Sequence, residues 1–439
     1  MGSDVLFEPL VFRSLTIKNR LLRGNISGRI DNYDGSGTPA RVAWEAKFAR
    51  GGVGAIITSH VPVSVRGRIL PNYATIDRDA RIPFWEKVVD AVHAHDCKLI
   101  LQLSHSGHQQ DIGGVENLRR KAPSSTNERD FFHGIASSAM TIGEIDEVVA
   151  SFAAGARRAR DAGVDGIELH ACNGYLFTQF LSSAINDRTD AYGGSLENRA
   201  RLLREVVGAI RAEIGPDLHL QVKLSGTDFH DALEPWLGKG NTIADSIEVA
   251  RWLEADGVDA LHVSVGSFFP HPRNPAGALP AHEAAESYDT MLGSGSHTLR
   301  NYFAFRFLPK LSKAVWERTT LHANVPVEGV SLEDARAIKA AVRIPVISTG
   351  GYQRASLIRE AISSGGCDAV AIARPLLANP DLPAMFARGL DEAPSPCTFC
   401  NRCLARVLED PLGCYDESRY ASYDDMIAHV MSFFDESGW

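Results

Sequence analysis

Eight short apolar runs recur along the chain, and most are followed by a stretch with the apolar spacing of an amphipathic helix. Continuous apolar runs bounded by turn residues are typical of strands buried on both faces of a parallel sheet. This alternation predicts an α/β protein with a (β/α)8 fold, the TIM barrel. The predicted strands are Asn19–Ile26, Val53–Val61, Lys98–His105, Val164–His170, Leu218–Ser225, Val258–Val265, Ile344–Thr349 and Asp368–Ala373.

Helical patterns separate most of these strands. They are predicted at Pro83–His95, Ile142–Ala162, Leu196–Ile214, Ile243–Ala255, Leu332–Val342 and Ala355–Ser363. A doubly wound sheet is the alternative that the pattern leaves open. It has less support, because no Gly-x-Gly-x-x-Gly sequence follows any of the predicted strands.

Two long insertions interrupt the alternation, at residues 106–140 and 266–330, and the second contains a predicted helix over Leu299–Glu317. Both follow strands, so both should emerge at the catalytic face of a barrel. They could form a substrate lid. Alternatively, they could be a stabilising excursion or an oligomer contact. The barrel is expected over residues 1–390. Residues 391–439 form a short cysteine-rich tail with a predicted helix at Asp424–Phe433.

Composition limits which partners the chain could bind and which cellular compartment it could occupy. The 439 residues are 44% hydrophobic, enough for a large core, and the net charge is −9. Without a basic run, neither nucleic acid nor a membrane is expected as a partner. The N-terminus lacks the pattern of a signal peptide. Four of the seven cysteines lie between Cys397 and Cys414, which favours a reducing cytoplasm and metal ligation over disulfides.

The candidate chemistry lies in the stretch from Gly163 to Arg199. A predicted strand ends there at His170, and Asn173 and Tyr175 follow it. Barrels place catalytic groups at the carboxyl ends of their strands. His and Asn side chains can donate hydrogen bonds to a substrate carbonyl, and a Tyr can deliver a proton.

The same stretch resembles the Old Yellow Enzyme family of FMN-dependent ene-reductases. It is most similar to the bacterial branch that includes 2,4-dienoyl-CoA reductase and trimethylamine dehydrogenase. The resemblance extends from residue 7 to about 415. The residues that match the family pattern are Glu168, His170, Asn173, Gly174, Tyr175, Leu176, Phe180, Leu181, Ser182, Asn186, Arg188, Asp190, Tyr192, Gly193, Gly194, Ser195, Glu197, Asn198 and Arg199.

This resemblance implies an FMN enzyme that reduces the C=C bond of an α,β-unsaturated carbonyl or dienoyl substrate. His170 and Asn173 would bind the carbonyl, and Tyr175 would protonate the adjacent carbon. Electrons would come from NAD(P)H or from an electron-transfer protein, and a homo-oligomer is expected. One alternative is an oxidative dehydrogenase, similar to an amine dehydrogenase, that passes electrons outward through an iron–sulfur cluster. Another is a non-catalytic flavin or zinc protein.

The resemblance also assigns cofactor-binding residues. Lys223 stands where the family usually has Arg, and it keeps the positive charge that stabilises a reduced flavin but loses the planar fork. The residues expected at the flavin ring are Asn25, Ser27, His60, Gln102 and Lys223. Those expected at the phosphate, on the seventh and eighth strands, are Thr349, Gly350, Gly351, Ala373 and Arg374.

The tail carries Cys397, Cys400, Cys403 and Cys414. This pattern resembles the iron–sulfur segment of the same branch, which implies a [4Fe–4S] cluster near the flavin. Four thiolates at such spacing also suit zinc, which remains the alternative.

A metal analysis distinguishes these two hypotheses. Anaerobically purified protein should contain about four irons and four inorganic sulfides per chain if a [4Fe–4S] cluster is bound. Absorbance should remain in the blue after FMN is stripped, and Cys400→Ser should abolish it without preventing FMN binding. Stoichiometric zinc without iron would exclude the cluster.

Overall fold

Eight parallel strands close into a barrel, which confirms the predicted fold. The computed structural model describes residues 4–436, apart from residues 27, 111, 113, 115–118, 233–239 and 322–326. We number the barrel strands β1 (Leu21–Arg23), β2 (Ala55–Ile57), β3 (Lys98–Ser104), β4 (Gly166–Ala171), β5 (His219–Ser225), β6 (Ala260–Ser264), β7 (Val346–Thr349) and β8 (Ala369–Ile372). Each strand pairs in parallel with the next, and β8 pairs with β1 to close the ring.

Helices surround the barrel. They are α1 (Pro39–Arg50), α2 (Ile82–His93), α3 (Ile142–Asp161), α4 (Leu196–Ile214), α5 (Ile243–Ala255), α6 (Leu332–Lys339) and α7 (Ala355–Ser363). Capping residues define where several of them begin. Thr141 and Glu144 form a reciprocal capping box at α3, and Thr38 caps α1. The helix α1 was not predicted from the sequence.

Shorter elements complete the chain. The short helices are Leu176–Leu181, Arg374–Ala378, Leu382–Ala387 and Arg402–Arg406, and single 3-10 turns occur at Val5–Phe7, Val65–Gly67, Asp79–Arg81, Gly107–Gln109, His230–Ala232 and Glu417–Arg419. In the first insertion, Ala122–Ser124 pairs in parallel with Ser137–Ala139.

Two predicted elements are divided in the structure. The predicted strand Val53–Val61 ends at Ile57 and resumes only at Val61–Pro62. Between them, the Thr58 hydroxyl accepts a hydrogen bond from the Gln102 backbone N–H at 3.0 Å, which replaces a ladder bond.

The predicted helix Leu299–Glu317 is two helices, Thr298–Phe307 and Pro309–Leu321. Pro309 has no N–H and disfavours a helical conformation at Leu308, so the first helix ends there. A third insertion helix, Ala281–Met291, was not predicted.

An N-terminal hairpin covers one end of the barrel. Its strands, Leu10–Val11 and Thr16–Ile17, pair antiparallel. Leu10, Phe12 and Ile17 form a buried cluster with residues at the amino ends of the strands, including Ala55 and Ala260. Access to the barrel interior is therefore from the carboxyl ends of the strands.

The tail folds back over the barrel. Its last helix, Tyr423–Glu436, packs against α1 through a contact between the rings of Phe433 and Trp44, whose centroids are 5.3 Å apart. Nearer the cysteines, Arg402 forms an ion pair with Glu283 of the second insertion at 2.7 Å. The tail thus joins the insertion to the barrel.

The Phe433 contact predicts a stability change. Phe433 is fully buried, so Phe433→Ala should leave a cavity and lower the free energy of unfolding by about 3–5 kcal/mol. Met431, on the same helix, is 38% exposed, and Met431→Ala should cost far less. Denaturant unfolding of both variants measures the difference. Equal losses of unfolding free energy in the two variants would show that burial of the Phe433 ring adds little to stability.

Candidate active site

A cavity of about 150 Å³ opens at the carboxyl ends of the strands. We call it the ring cavity. Its barrel side carries Asn25, His60, His170, Asn173, Tyr175, Lys223, Thr349, Ala373 and Arg374. Phe269 of the second insertion and Cys403 of the tail form part of the other wall. The structure therefore brings together most of the residues assigned from the sequence.

Two buried histidines and an asparagine form a hydrogen-bonded chain in this cavity. His170 Nδ1 lies 3.1 Å from His60 Nδ1, and His170 Nε2 lies 3.3 Å from Asn173 Oδ1. Burial lowers the pKa of both imidazoles, to about 3 for His60, and the positive charge of Lys223 lowers both further. Both rings are therefore neutral near pH 7. Because Asn173 Oδ1 already accepts, its amide Nδ2 is the donor that faces a ligand.

A tight turn places Asn173 and Tyr175. Asn173 and Gly174 have φ values of 63° and 78°, in the left-handed region. Asn tolerates that region better than most residues. A Cβ at position 174 would lie 2.5 Å from the Phe268 Cα, so only glycine fits there.

Tyr175 stands between two cavities. Its ring centroid lies 4.7 Å from those of both His60 and His170. Burial raises the pKa of its phenol well above the usual value, so the side chain stays protonated. Tyr175 lines the ring cavity and also a second cavity of about 130 Å³, which we call the acceptor cavity.

The acceptor cavity lies between the two insertions and the tail. Its walls are largely apolar and include Ile69, Leu70, Ile112, Phe132, Leu279, Met291, Phe305, Trp316 and Leu408. Phe269, Leu404 and Val407 line both cavities. A molecule bound here would therefore lie beside the Tyr175 phenol in apolar surroundings.

Below the ring cavity, a buried carboxylate organises the barrel interior. Glu168 on β4 accepts hydrogen bonds from Gln102 on β3 at 2.7 Å and from Gln221 on β5, and it pairs with His262 on β6 at 2.8 Å. Burial alone would raise the pKa of Glu168, but His262, Lys223 and Gln221 together lower it. Gln102 Oε1 is buried without a hydrogen-bond partner among the described residues.

A smaller cavity of about 60 Å³ adjoins the ends of β7 and β8. Gly350 and Gly351 line it with φ values of 145° and 70°. Arg374 contacts it while donating to the Ala276 carbonyl at 2.6 Å. Arg273 of the second insertion also lines it, which the sequence did not predict because its surroundings match no motif. Two arginines thus line this cavity, and the Arg273 guanidinium lies 3.7 Å from the centroid of the Phe229 ring.

Lys223 and Ser27 were both assigned to the flavin ring. Lys223 donates a hydrogen bond to Asn25 Oδ1, which holds the ammonium at the wall of the ring cavity. Ser27 lies outside the described residues.

The tail cysteines do not confirm the predicted metal site. Burial raises the pKa of Cys397 to about 11, and Cys414 and Cys400 contribute to the same shift, so the thiols influence one another. The Cys414 sulfur accepts a hydrogen bond from Arg419 at 3.0 Å. Among the described residues, no three His, Cys, Asp or Glu side chains are arranged to hold a metal ion. The cluster therefore remains a prediction.

Gln179 is a further site residue that sequence reasoning missed. Its Nε2 donates to the carbonyls of Ser106, at 3.0 Å, and Gly174, at 2.8 Å. Its Oε1 accepts from the His108 backbone N–H at 3.1 Å and from the Ser124 hydroxyl at 3.0 Å. One buried amide thus joins the first insertion to the turn that carries Tyr175. Its position within the matched motif was the available signal.

The model of the NADH:flavin oxidoreductase / NADH oxidase family matches residues 5–302 and 309–393. The chain belongs to this family. The family is named for flavin oxidoreductases that use NADH.

Two curated relatives and one solved structure extend this result. The chain is 31% identical to the NADH oxidase of Thermoanaerobacter brockii, over 90% of this chain and 52% of that protein. It is 30% identical to the cinnamate reductase of Clostridium sporogenes, over 92% of this chain and 56% of that protein. It therefore spans about half the length of each. A 2-naphthoyl-CoA reductase structure shares the fold, with a TM-score of 0.76 and 24% identity over 94% of this chain and 56% of that one.

No helix in the described part of the chain combines the length and the apolar character that crossing a bilayer needs.

Gln179→Leu tests the link between the insertion and the turn. The substitution leaves buried backbone groups unpaired, so it should lower the free energy of unfolding by roughly 2 kcal/mol or more. Limited proteolysis should cleave within residues 106–125 faster than in the wild type. Ser138→Ala, at an exposed position of the same insertion, is the control. Unchanged cleavage in Gln179→Leu would show that other contacts hold the insertion.

Proposed function

We propose that this protein reduces the C=C bond of an α,β-unsaturated carbonyl compound with FMN as the hydride carrier. The observation that carries the proposal is the convergence of His170, Asn173 and Tyr175 on one cavity, with Tyr175 also facing an apolar second cavity. The cinnamate reductase relative acts, by its name, on an unsaturated acid.

The ring cavity has the chemistry that a flavin ring requires. Lys223 supplies a positive charge at its wall, which would stabilise the negative charge of a reduced flavin. His60 and Asn25 are further polar groups at this cavity. Gln102, which was assigned to the flavin ring, is not among the residues that line the cavity and donates instead to Glu168 inside the barrel.

The smaller cavity suits the FMN phosphate. A Cβ at Gly350 would lie 2.8 Å from Val330 Cγ1, so only glycine lets this end of β7 pack against Val330 beside the cavity. Arg273 and Arg374 flank the cavity and would neutralise the phosphate charge. Thr349, Gly351 and Ala373 are its other assigned members.

Each of these side chains would have a separate role in the reaction. When bound, FMN supplies a hydride to one carbon of the C=C bond. Asn173 Nδ2 would donate a hydrogen bond to the carbonyl oxygen and stabilise the negative charge that develops there. His170, held by His60, would add a second hydrogen bond when the carbonyl oxygen replaces Asn173 Oδ1 as the acceptor of its Nε2–H. Tyr175, kept protonated by burial, would give a proton to the other carbon. The apolar walls of the acceptor cavity exclude water and strengthen these polar contacts.

The iron–sulfur hypothesis adds an electron route but no chemistry at the C=C bond. Cys397, Cys400, Cys403 and Cys414 are suitable ligands by type, and Cys403 lines the ring cavity. A cluster held by them would connect the flavin to an electron-transfer partner. Direct reduction by NAD(P)H needs no such partner, and metal analysis separates the two routes.

Tyr175→Phe tests the proposed proton donor. Reduction of the flavin by NADH or NADPH should persist, because it does not need the phenol. Alkene reduction should slow by roughly a hundred- to ten-thousand-fold, the usual contribution of a general acid. Anaerobic stopped-flow absorbance measures both half-reactions. Tyr33→Phe, at a side chain that is 54% exposed, is the control. Unchanged alkene reduction in Tyr175→Phe would exclude this residue as the donor.

A further inference from the structure

The acceptor cavity has a polar group that the proposed reaction does not use. His133 of the first insertion lines the cavity and is 4% exposed. Its backbone N–H donates to Asp130 Oδ2 at 2.6 Å, and its ring Nδ1 lies 3.4 Å from the same oxygen. On the other side of this carboxylate, His108 Nε2 lies 4.0 Å from Asp130 Oδ1. A buried carboxylate thus lies between two buried imidazoles.

The hydrogen-bonding capacity of this group is only partly used. His133 Nδ1 is buried against the Asp130 carboxylate, and Asp130 Oδ1 has no hydrogen-bond partner among the described residues. Because the two nitrogens of an imidazole ring point in nearly opposite directions, Nε2 is the one that a ligand in the cavity could reach. Buried polar groups in native proteins are usually paired, with protein, water or ligand. A buried imidazole in the wall of an open cavity is therefore a candidate for contact with a ligand.

A tyrosine and an asparagine adjoin His133. The Tyr288 ring stacks on the His133 ring with centroids 6.4 Å apart, and Tyr288 also lines the cavity. Asn301 Nδ2 donates to the Tyr288 hydroxyl at 3.3 Å. These contacts fix the orientation of both rings, so the polar atoms around His133 are preorganised.

We propose that His133 hydrogen bonds to a hydroxyl group of the substrate, and that the substrate is an aromatic, otherwise apolar unsaturated carbonyl compound. This inference rests on the proposed function and adds the substrate class. The aromatic body follows from the apolar walls, which include Phe132, Phe305 and Trp316. The hydroxyl follows from the His133 imidazole among them, whose Nε2 points away from Asp130.

Electrostatics favour an uncharged group over a carboxylate. Burial alone would raise the pKa of Asp130, but its contacts with His133 and His108 lower it, so the carboxylate is ionised. A second carboxylate beside it would be repelled in surroundings of low dielectric constant. A hydroxyl can both accept from an imidazole N–H and donate to a nitrogen lone pair, so it suits either tautomer of His133.

Calorimetric titration of the FMN-loaded protein with ketones that cannot be reduced tests the assignment. The probes are 4-phenylbutan-2-one, its 3- and 4-hydroxyphenyl derivatives and its 4-carboxyphenyl derivative. At least one hydroxyphenyl ketone should bind roughly tenfold more tightly than the unsubstituted ketone, the gain expected of one buried hydrogen bond. The carboxyphenyl ketone should bind at least tenfold more weakly.

Substitutions then connect this preference with His133. His133→Leu should abolish the hydroxyl preference while affinity for 4-phenylbutan-2-one stays within about threefold. His133→Gln, which keeps a polar group if the Leu variant folds poorly, should retain part of the preference. His282→Gln is the control, because the His282 side chain is 71% exposed on the helix that carries Tyr288. Flavin content and near-ultraviolet circular dichroism check the fold of each variant.

The outcomes separate this inference from the proposed function. Equal affinities for all uncharged ketones in the wild type, or a hydroxyl preference that survives His133→Leu, would overturn the role of His133. A preference that depends on His133, together with no reduction of the corresponding enones, would support the binding site and overturn the proposed reaction instead.

Discussion

The buried carboxylate of Glu168 is the interaction on which the rest of the site depends. It lies inside the barrel and takes polar contacts from β3, β5 and β6 while belonging to β4. Removing one partner of such a group leaves a buried charge uncompensated, which is far costlier than losing a surface ion pair. The relative positions of four strands, and of Lys223 and His170 at their ends, are therefore fixed together.

This arrangement gives each group at the cavity a defined protonation state. The two histidines are neutral and the tyrosine is protonated because all three are buried. The positive charge of Lys223 stabilises the ionised Glu168 carboxylate. The same charge disfavours protonation of both imidazoles. A single cation thus influences both the barrel interior and the two histidines of the proposed site. The insertions contribute shape and apolar surface to this polar centre.

Much of this could be predicted from the sequence. The barrel follows from apolar runs that end where polar residues begin, and His170, Asn173 and Tyr175 lie within one continuous stretch. Residues that act through distant contacts were harder. The contacts of Gln179, and the roles proposed for His133 and Arg273, arise only when an insertion folds back on the barrel, and no local periodicity encodes that. The helix break at Pro309 was visible in the sequence, but the apolar pattern on both sides of it favoured one continuous helix.

The tail also forms part of the walls of both cavities. Asn401 donates to the carbonyls of Pro275 and Ala278, at 3.2 and 2.9 Å, and Leu404 and Val407 form walls of both cavities. Without these residues, the space beside Tyr175 would be open to bulk solvent and to dissolved dioxygen, which oxidises reduced flavins. The tail is thus a wall of the site as well as a candidate ligand segment, and in the proposed enzyme it would shield a reduced flavin from oxygen.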